Sequence, residues 1–541
     1  MQGSGKRRVR AAIALLLALV MLCLTFGGCR RDELTALYFA VPAGKGTTFD
    51  PQIVGAGATG IAVRNMFEGL VYLDEDGSVE PGAAVSWNVS ADGLTYTFRL
   101  RQDARWHVTV TVEEEMGEKL DGFDRRVTAH DFVFALRRAV DPATGAPQAR
   151  LLENIAGAEG IMKAGAPLTT LGVRATDDYT LVIRLARPQN DFLEVLTEPV
   201  CMPCPAAFFE ITGGRYGKYI KYIVSNGPFF MTRFDIDEGY YRLFKSADYV
   251  GDHPAKTDVL WLYHRPDDQT LSQALADGEY SGALADESYV SRYPMKKGSS
   301  VTSADTLRCF ILNAGGETSS NEALRKAFCA AAALNVMTDD AGRDPVNTVL
   351  PAAFSDYVTV GAYPADPAAA KRELKKALEE LKADTATLSI LCEPRFETAV
   401  RRLLQEYQKT LGIGLAVGVN VVEETDLKAR VAAGNYDVAF YPVKAPYFGL
   451  AGYYEQFSAN APRPLTYLQD PAFDADVEAL RYAPDGGRSR ISALAASLIS
   501  HAVLLPVWQE NSVFLLGEGV SGVRLLPGNE RLYFFDATQS R

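Results

Sequence analysis

The sequence predicts an α/β protein of two lobes, and three observations carry that expectation. Residues 34 to about 305 hold short runs in which apolar and polar side chains alternate, the pattern of half-buried strands. Beyond residue 312 strands alternate with helices, and residues 503–533 return to short strands broken by Gly517, Gly519 and Gly522. If that tail rejoins the first region, the middle is an inserted lobe, entered near 306–312 and left near 503–508. Two short crossings make a hinge, and two hinged lobes can close around a ligand.

Taken in order, residues 1–10 carry only positive charge and 11–26 form an apolar run broken only by Thr25. This is the n-region and h-region of a secretory signal. The run ends at Phe26-Gly27-Gly28-Cys29, small residues before a cysteine, which resembles a bacterial lipobox. The resemblance implies lipidation of Cys29 and a leader over 1–28, with Phe26 departing from the usual leucine. An uncleaved anchor helix is the alternative, and both place the body outside the cytoplasmic membrane. Net charge is −12, and losing the four basic leader residues takes it to −16. So acidic a body lacks the basic footprint that nucleic acid requires.

In the first region residues 94–101 alternate cleanly, Leu181, Ile183 and Leu185 repeat the pattern after the Asp177-Asp178 turn, and 259–263 reads as another strand. Helices are expected at about 129–140 and 269–276, so this region is mixed α+β. In the second region a capping box at Ser319-Ser320-Asn321-Glu322 opens a helix carrying Leu324, Ala327, Phe328 and Ala331. Asp366-Pro367 caps the next helix, with Leu374, Leu378 and Leu381 on its buried stripe. A strand at 388–392, a helix bearing Val400, Leu403, Leu404, Tyr407 and Leu411, and a strand at 415–422 form a β-α-β unit. A helix at 427–433 and a strand at 436–441 add to it, so a mostly parallel sheet is expected.

Signatures of catalysis are sparse. Gly-x-Ser-x-Gly, His-Glu-x-x-His and a phosphate-binding GK[ST] loop are absent, and His107, His130, His253, His264 and His501 have no metal-ligand spacing. His130 reads as a local polar contact beside Asp131. The acidic stretch from Glu113 to Asp124 reads as a solvated hairpin tip rather than a calcium loop. Cys201-Met202-Pro203-Cys204 has redox-like spacing but no helix N-terminus to activate a thiol, so an incidental pair or a local disulfide is expected.

The order of motifs resembles a known family. Phe49-Asp50-Pro51 followed by Asn65-Met66-Phe67-Glu68-Gly69-Leu70-Val71 is similar to the "DP … N-x-FEGL" opening of the extracellular solute-binding proteins of family 5, the oligopeptide- and dipeptide-binding components of bacterial ABC importers. The similarity continues through Trp87, Ser90 to Phe98, Ala104-Arg105-Trp106, Val127 to Val133, Asn226-Gly227-Pro228-Phe229 and Gly434 to Val438. An acidic insertion replaces the family's short "W-S-D-G-x-P" turn after Trp106. The resemblance implies a two-lobed periplasmic-binding-protein-like fold of class II, cluster C type, with an extra α+β subdomain at about 70–178. On that reading the first lobe covers 29–308, the inserted α/β lobe 309–503, and the return to the first lobe 504–541.

It also implies no catalysis, no cofactor and no metal. The implied partners are a peptide or peptide-like solute and an ABC permease, for a monomer held on the outer face of the cell membrane by its lipid anchor. A ligand-presenting sensor, an extracytoplasmic hydrolase and a chaperone-like surface protein are the rival readings. The candidate ligand set carried over is Lys45, Gly46, Thr47, Phe49, Gln148, Asn226, Gly227, Phe310, Asn313, Tyr441, Val443, Lys444 and Tyr447. Ligands sit beyond the carboxyl ends of strands in open α/β sheets, so the strand at 436–441 aims 442–447 at the cleft. There Val443 replaces the tryptophan and Pro446 the acid of the family's "G-W-x-A-D-Y". Proline offers neither an amide donor nor a partner for an ammonium. With Lys45 and Ile311 at two further acid positions, the expectation is a ligand whose anionic or neutral end meets Lys45 and Lys444.

Overall fold

A computed structural model describes residues 34–43, 48–235, 237–341, 343–354, 365–445, 449–482, 487–528 and 531–540. The leader with Cys29, the expected site residues Lys45, Gly46, Thr47 and Tyr447, and Pro446 beside the last of them lie outside the described residues.

One ten-stranded sheet runs through both lobes. Its order is Leu415–Val421, Ala386–Cys392, Val438–Lys444, Ser299–Leu312, Leu504–Leu516, Gly282–Asp286, Ala36–Val41, Val259–His264, Tyr240–Lys245 and Phe229–Asp235. The two long central strands, of 14 and 13 residues, are antiparallel neighbours that carry the chain between lobes. Their register shifts at Ser303/Thr306 and again at Arg308/Cys309. Such irregularities bend a ladder, and here they lie where the chain leaves the first lobe.

In the second lobe the alternation of strand side chains divides the packing in two. Leu307, Cys309 and Ile311 enter one core with Val443, Tyr453 and Leu498, while Phe310 and Leu312 enter the other with Leu388, Ile390 and Phe440. Both faces are therefore covered, as expected of an α/β layer. Among the described residues three of its strands are parallel, Ala386–Cys392 pairing in parallel with Leu415–Val421 and with Val438–Lys444. The crossing strands are antiparallel to their neighbours, so the mostly parallel sheet expected from the β-α-β pattern becomes a mixed one.

Local signals hold where a side chain dictates them. Asp366 accepts from the amides of Ala368 and Ala369 with Pro367 in the first turn, as expected. The helix Glu322–Ala331 is capped by Asn321, whose side chain accepts from Leu324 N, rather than by a serine. In the extra subdomain the four strands Ala84–Val89, Thr95–Leu100, Thr180–Arg184 and Val173–Asp177 form their own sheet in that spatial order. The helix Ala129–Val140 packs Phe132 and Leu136 into the core beside it. Thr128 and Asp131 form a capping box on that helix, and burial pushes the Asp131 carboxyl up to about 6.

One expectation is corrected, and of the two readings open for the Cys201/Cys204 pair the incidental one holds. The acidic insertion is no hairpin tip: Val110–Met116 is a helix capped by Thr109, with Val112 and Met116 buried and Glu113 and Glu115 paired to Arg125 and Lys221. The sequence showed its charges, but helical spacing of Val112 and Met116 decides its form. Cys201 and Cys204 are both free, so no local disulfide forms. Both thiols are buried and pushed far up by that burial, and Arg138 donates to Cys204 Sγ at 3.3 Å. No helix of the described residues is long and apolar enough to cross a membrane.

Candidate functional site

The lobes enclose a cavity of about 360 Å³. The first lobe supplies Val54–Gly57, one face of the helix Ala58–Met66 (Gly60, Ile61 and Arg64), Pro147, Gln148, Arg150, Leu151 and Pro199; the second supplies Glu455, Gln456 and residues 461–463. That volume falls in the usual range of about 300–1,000 Å³ for small-ligand sites.

Asp50 shapes the first wall. Its carbonyl accepts from the amides of Ile53 and Val54, and its carboxylate is gripped by Arg138 at 2.6 Å. The chain is released beyond that turn as Gly55-Ala56-Gly57. Gly57 sits at φ 89, where a side chain would be strained, and begins the helix. Gly60 is required for a different reason: a Cβ there would lie 2.4 Å from the Gly55 carbonyl oxygen. A Cβ on Gly55 itself would meet nothing within 4 Å, so the exposed backbone of this loop is open to a ligand. Neither the N–H nor the C=O of Gly55 or Ala56 has a hydrogen-bond partner among the described residues.

At the floor Arg64 is 7% exposed and donates to Glu198 at 2.6 Å, and the same carboxylate accepts from Arg531. Burial alone would raise Glu198, but the two guanidinium groups outweigh it and hold the carboxyl at about 2. Gln148 Nε2 approaches Glu198 at 3.5 Å. Asn65 ties the helix to the C-terminal tail, donating to Leu532 O and accepting from Phe534 N.

Ion pairs cross between the lobes, one of them, Arg150–Glu455, at this cavity. Arg150 donates to Asn460 O at 2.7 Å and faces Glu455 at 3.2 Å. Arg187 reaches Glu478 at 3.1 Å and lies 3.9 Å from the Tyr482 ring centre. Arg343 meets Glu287 at 2.9 Å and Arg395 meets Asp286 at 2.5 Å. The last contact continues inward, since Arg395 also pairs with Glu393, which shares Arg308 of the crossing strand with Glu510. A chain of alternating charge, buried at Arg308, Glu393 and Glu510 and part-exposed at Arg395 and Asp286, thus joins the hinge to the lobe interface.

Of the expected site residues that are described, only Gln148 lines the cavity. The structure places the remaining described ones elsewhere. Phe49 packs on Phe234 and Tyr241 in the core of the first lobe, and Phe310 on Phe328 and Phe440 in the second. Val443 is 0% exposed. Asn226 exchanges hydrogen bonds with the Glu68 backbone, and Asn313 donates to Gly434 O and Tyr436 O. A Cβ on Gly227 would lie 2.6 Å from Met66 backbone, so that glycine serves chain packing. Tyr441 and Lys444 are half-buried, opposite Cys309 and Thr306, and neither lines the cavity. The cores take up Phe49 and Phe310, which suit an apolar wall equally well, and Val443, which stands at the family's tryptophan position. The wall that sequence reasoning missed has a visible signal, the run of small residues Gly55-Ala56-Gly57-Ala58-Thr59-Gly60 directly after Asp50-Pro51.

His130 is exposed and lies 3.7 Å from Asp178, away from the cavity. The described residues hold no group of three or more His, Cys, Asp or Glu placed to bind a metal ion.

Two lobes on one hinged sheet, with a ligand-sized cavity between them, define a solute-binding protein. The chain belongs to the bacterial extracellular solute-binding proteins of family 5, whose middle region matches residues 78–463. Over 485 residues it is 29% identical to the periplasmic oligopeptide-binding protein OppA of Haemophilus influenzae, covering 84% of each chain. Over 498 residues it is 25% identical to the dipeptide-binding protein DppE of Bacillus subtilis, covering 88% of this chain and 87% of that one. The fold is shared with Haemophilus influenzae OppA solved in complex with RPPGFSPFR (TM-score 0.76, 23% identity, 94% of this chain and 100% of that chain). It is shared equally with Listeria monocytogenes OppA bound to peptide (TM-score 0.76, 19% identity, with the same coverage).

Proposed function

We propose that this protein captures a peptide or peptide-like solute between its lobes and delivers it to an ABC permease, held at the outer face of the membrane by a lipid on Cys29. The observation that carries the reading is the Gly55-Ala56 backbone, exposed at the cavity with its amides and carbonyls unengaged among the described residues. A peptide is the ligand class that brings matching donors and acceptors at strand spacing, and adding a strand to a free backbone edge is a general mode of peptide binding. The names of the relatives, oligopeptide- and dipeptide-binding proteins, support it.

Capture then follows from population shift. A ligand touching both walls is fully bound only in the closed form, so its binding favours closure in proportion to that difference in affinity. The pairs Arg150–Glu455, Arg187–Glu478 and Arg395–Asp286 form as the lobes meet and set the closed geometry. The closed form is the one a permease would recognise.

Native mass spectrometry of the protein purified from its own host tests the reading. Adducts of peptide mass that leave on mild unfolding are expected. A protein that carries none, and binds nothing from a mixed peptide hydrolysate, would refute it.

A further inference from the structure

The cavity carries a sign of charge as well as a shape. Four charged side chains line it among the described residues: the guanidinium groups of Arg64, Arg150 and Arg463, and the carboxylate of Glu455. That single acid is engaged from two sides, by Arg150 across the interface and by Arg481 within its own lobe. Arg64 is fixed at the floor by Glu198, so its position does not depend on a ligand. Arg463 is exposed at the mouth, with no ion-pair partner among the described residues. The rest of the wall is largely apolar, from Val54 and Ile61 to Leu151, and an apolar wall strengthens the field of the charges it surrounds.

We propose that the cavity selects anionic ligands, a ligand carboxylate lying among Arg64, Arg150 and Arg463. The inference rests on the peptide-capture reading and adds the sign of the peptide. It also places the cationic partners at these arginines rather than at Lys444, which does not line the cavity. The carboxylate can belong to an acidic side chain or to a free C-terminus. Three arginines of fixed or half-fixed geometry suit either, because guanidinium groups hold carboxylates in paired hydrogen bonds.

Titration calorimetry with four pentapeptides separates these sources: Ala-Ala-Glu-Ala-Ala, Ala-Ala-Gln-Ala-Ala, Ala-Ala-Lys-Ala-Ala and the C-terminal amide of the glutamine peptide. The glutamate peptide should bind about tenfold more tightly than its glutamine isostere if the side chain is read. The glutamine peptide should bind about tenfold more tightly than its amide if the terminus is read. In the first case the lysine peptide binds most weakly and in the second the amide does; in both the advantage shrinks at high salt, and Arg463→Gln narrows it about threefold. Arg463 is exposed on a loop, and an unchanged melting temperature would verify that the variant folds. Equal binding of all four peptides, or preference for lysine, overturns the inference while leaving peptide capture standing. Binding of none of them, nor of a random pentapeptide mixture, overturns peptide capture and the inference with it.

Discussion

Replacing Glu198 by glutamine tests the electrostatic floor of the site. The carboxylate is 1% exposed and accepts from both Arg64 and Arg531, so the substitution removes the charge that two buried guanidinium groups face. Breaking a buried pair in this way costs about 3–5 kcal/mol. The proton linkage gives a separate figure. A carboxyl held at about 2 in the fold, against about 4.3 when unfolded, contributes on the order of 3 kcal/mol at neutral pH. The sign follows from the direction: the folded value is depressed, so the contribution is complete above about pH 4.3 and is lost as pH falls towards 2. Urea unfolding followed by intrinsic fluorescence at pH 7 and pH 3 measures it. Glu198→Gln should lower stability by about 3 kcal/mol at pH 7 and by distinctly less at pH 3. Equal stability at pH 7, or a difference that stays constant down to pH 3, would refute the reasoning.

Three further outcomes are expected. Gly60→Ala would gain about 1 kcal/mol from helix propensity alone, but its Cβ must displace the Gly55 carbonyl from 2.4 Å. The net effect should be a loss of about 1–2 kcal/mol with weakened ligand binding, and a stabilised variant of unchanged affinity in thermal melts and calorimetry would contradict the loop geometry. Arg150→Ala removes both its contact to Asn460 O and its pair with Glu455. Ligand release in stopped-flow should quicken about three- to tenfold, with little change in thermal stability, because a half-exposed pair adds only about 0–1 kcal/mol to folding. Cys201, Cys204, Cys309, Cys329 and Cys392 are buried and burial raises every one of their thiols. They should resist a thiol reagent at pH 8 until the protein is unfolded, and rapid labelling of any of them in the native state would be inconsistent with the packing.

Much of the architecture was legible because it is encoded in short-range patterns. Strands at 95–100, 180–184 and 259–264 and helices at 129–140 and 397–411 follow from periodicity, and Asp366-Pro367 marks a helix start by hydrogen-bonding chemistry alone. The crossings near 306–312 and 503–508 were readable from the change of texture, and both fall within the two long strands. The sheet order and the antiparallel pairing of the crossing strands depend on contacts about 200 residues apart, as in Cys309 opposite Pro506, and no local pattern reports those. The site was less legible than the fold. Ligand-facing and core aromatics share one composition, so Phe49 and Phe310 could not be told from wall residues. Arg150 and Glu455 become neighbours only when the lobes meet. The Gly55–Gly60 run was visible, but its meaning required knowing that Gly60 must pass the Gly55 carbonyl and that Gly55 faces open space.

The central claim is that ligand is held between the lobes against the Gly55-Ala56 backbone. A crystal structure of the protein with a peptide from its own adducts tests it most directly. The account predicts an extended ligand in the interlobe cavity, its main chain hydrogen-bonded to Gly55 and Ala56 and its carboxylate among Arg64, Arg150 and Arg463. A ligand seated elsewhere on the protein, or lobes that stay apart around an empty cavity at saturating peptide, would contradict it.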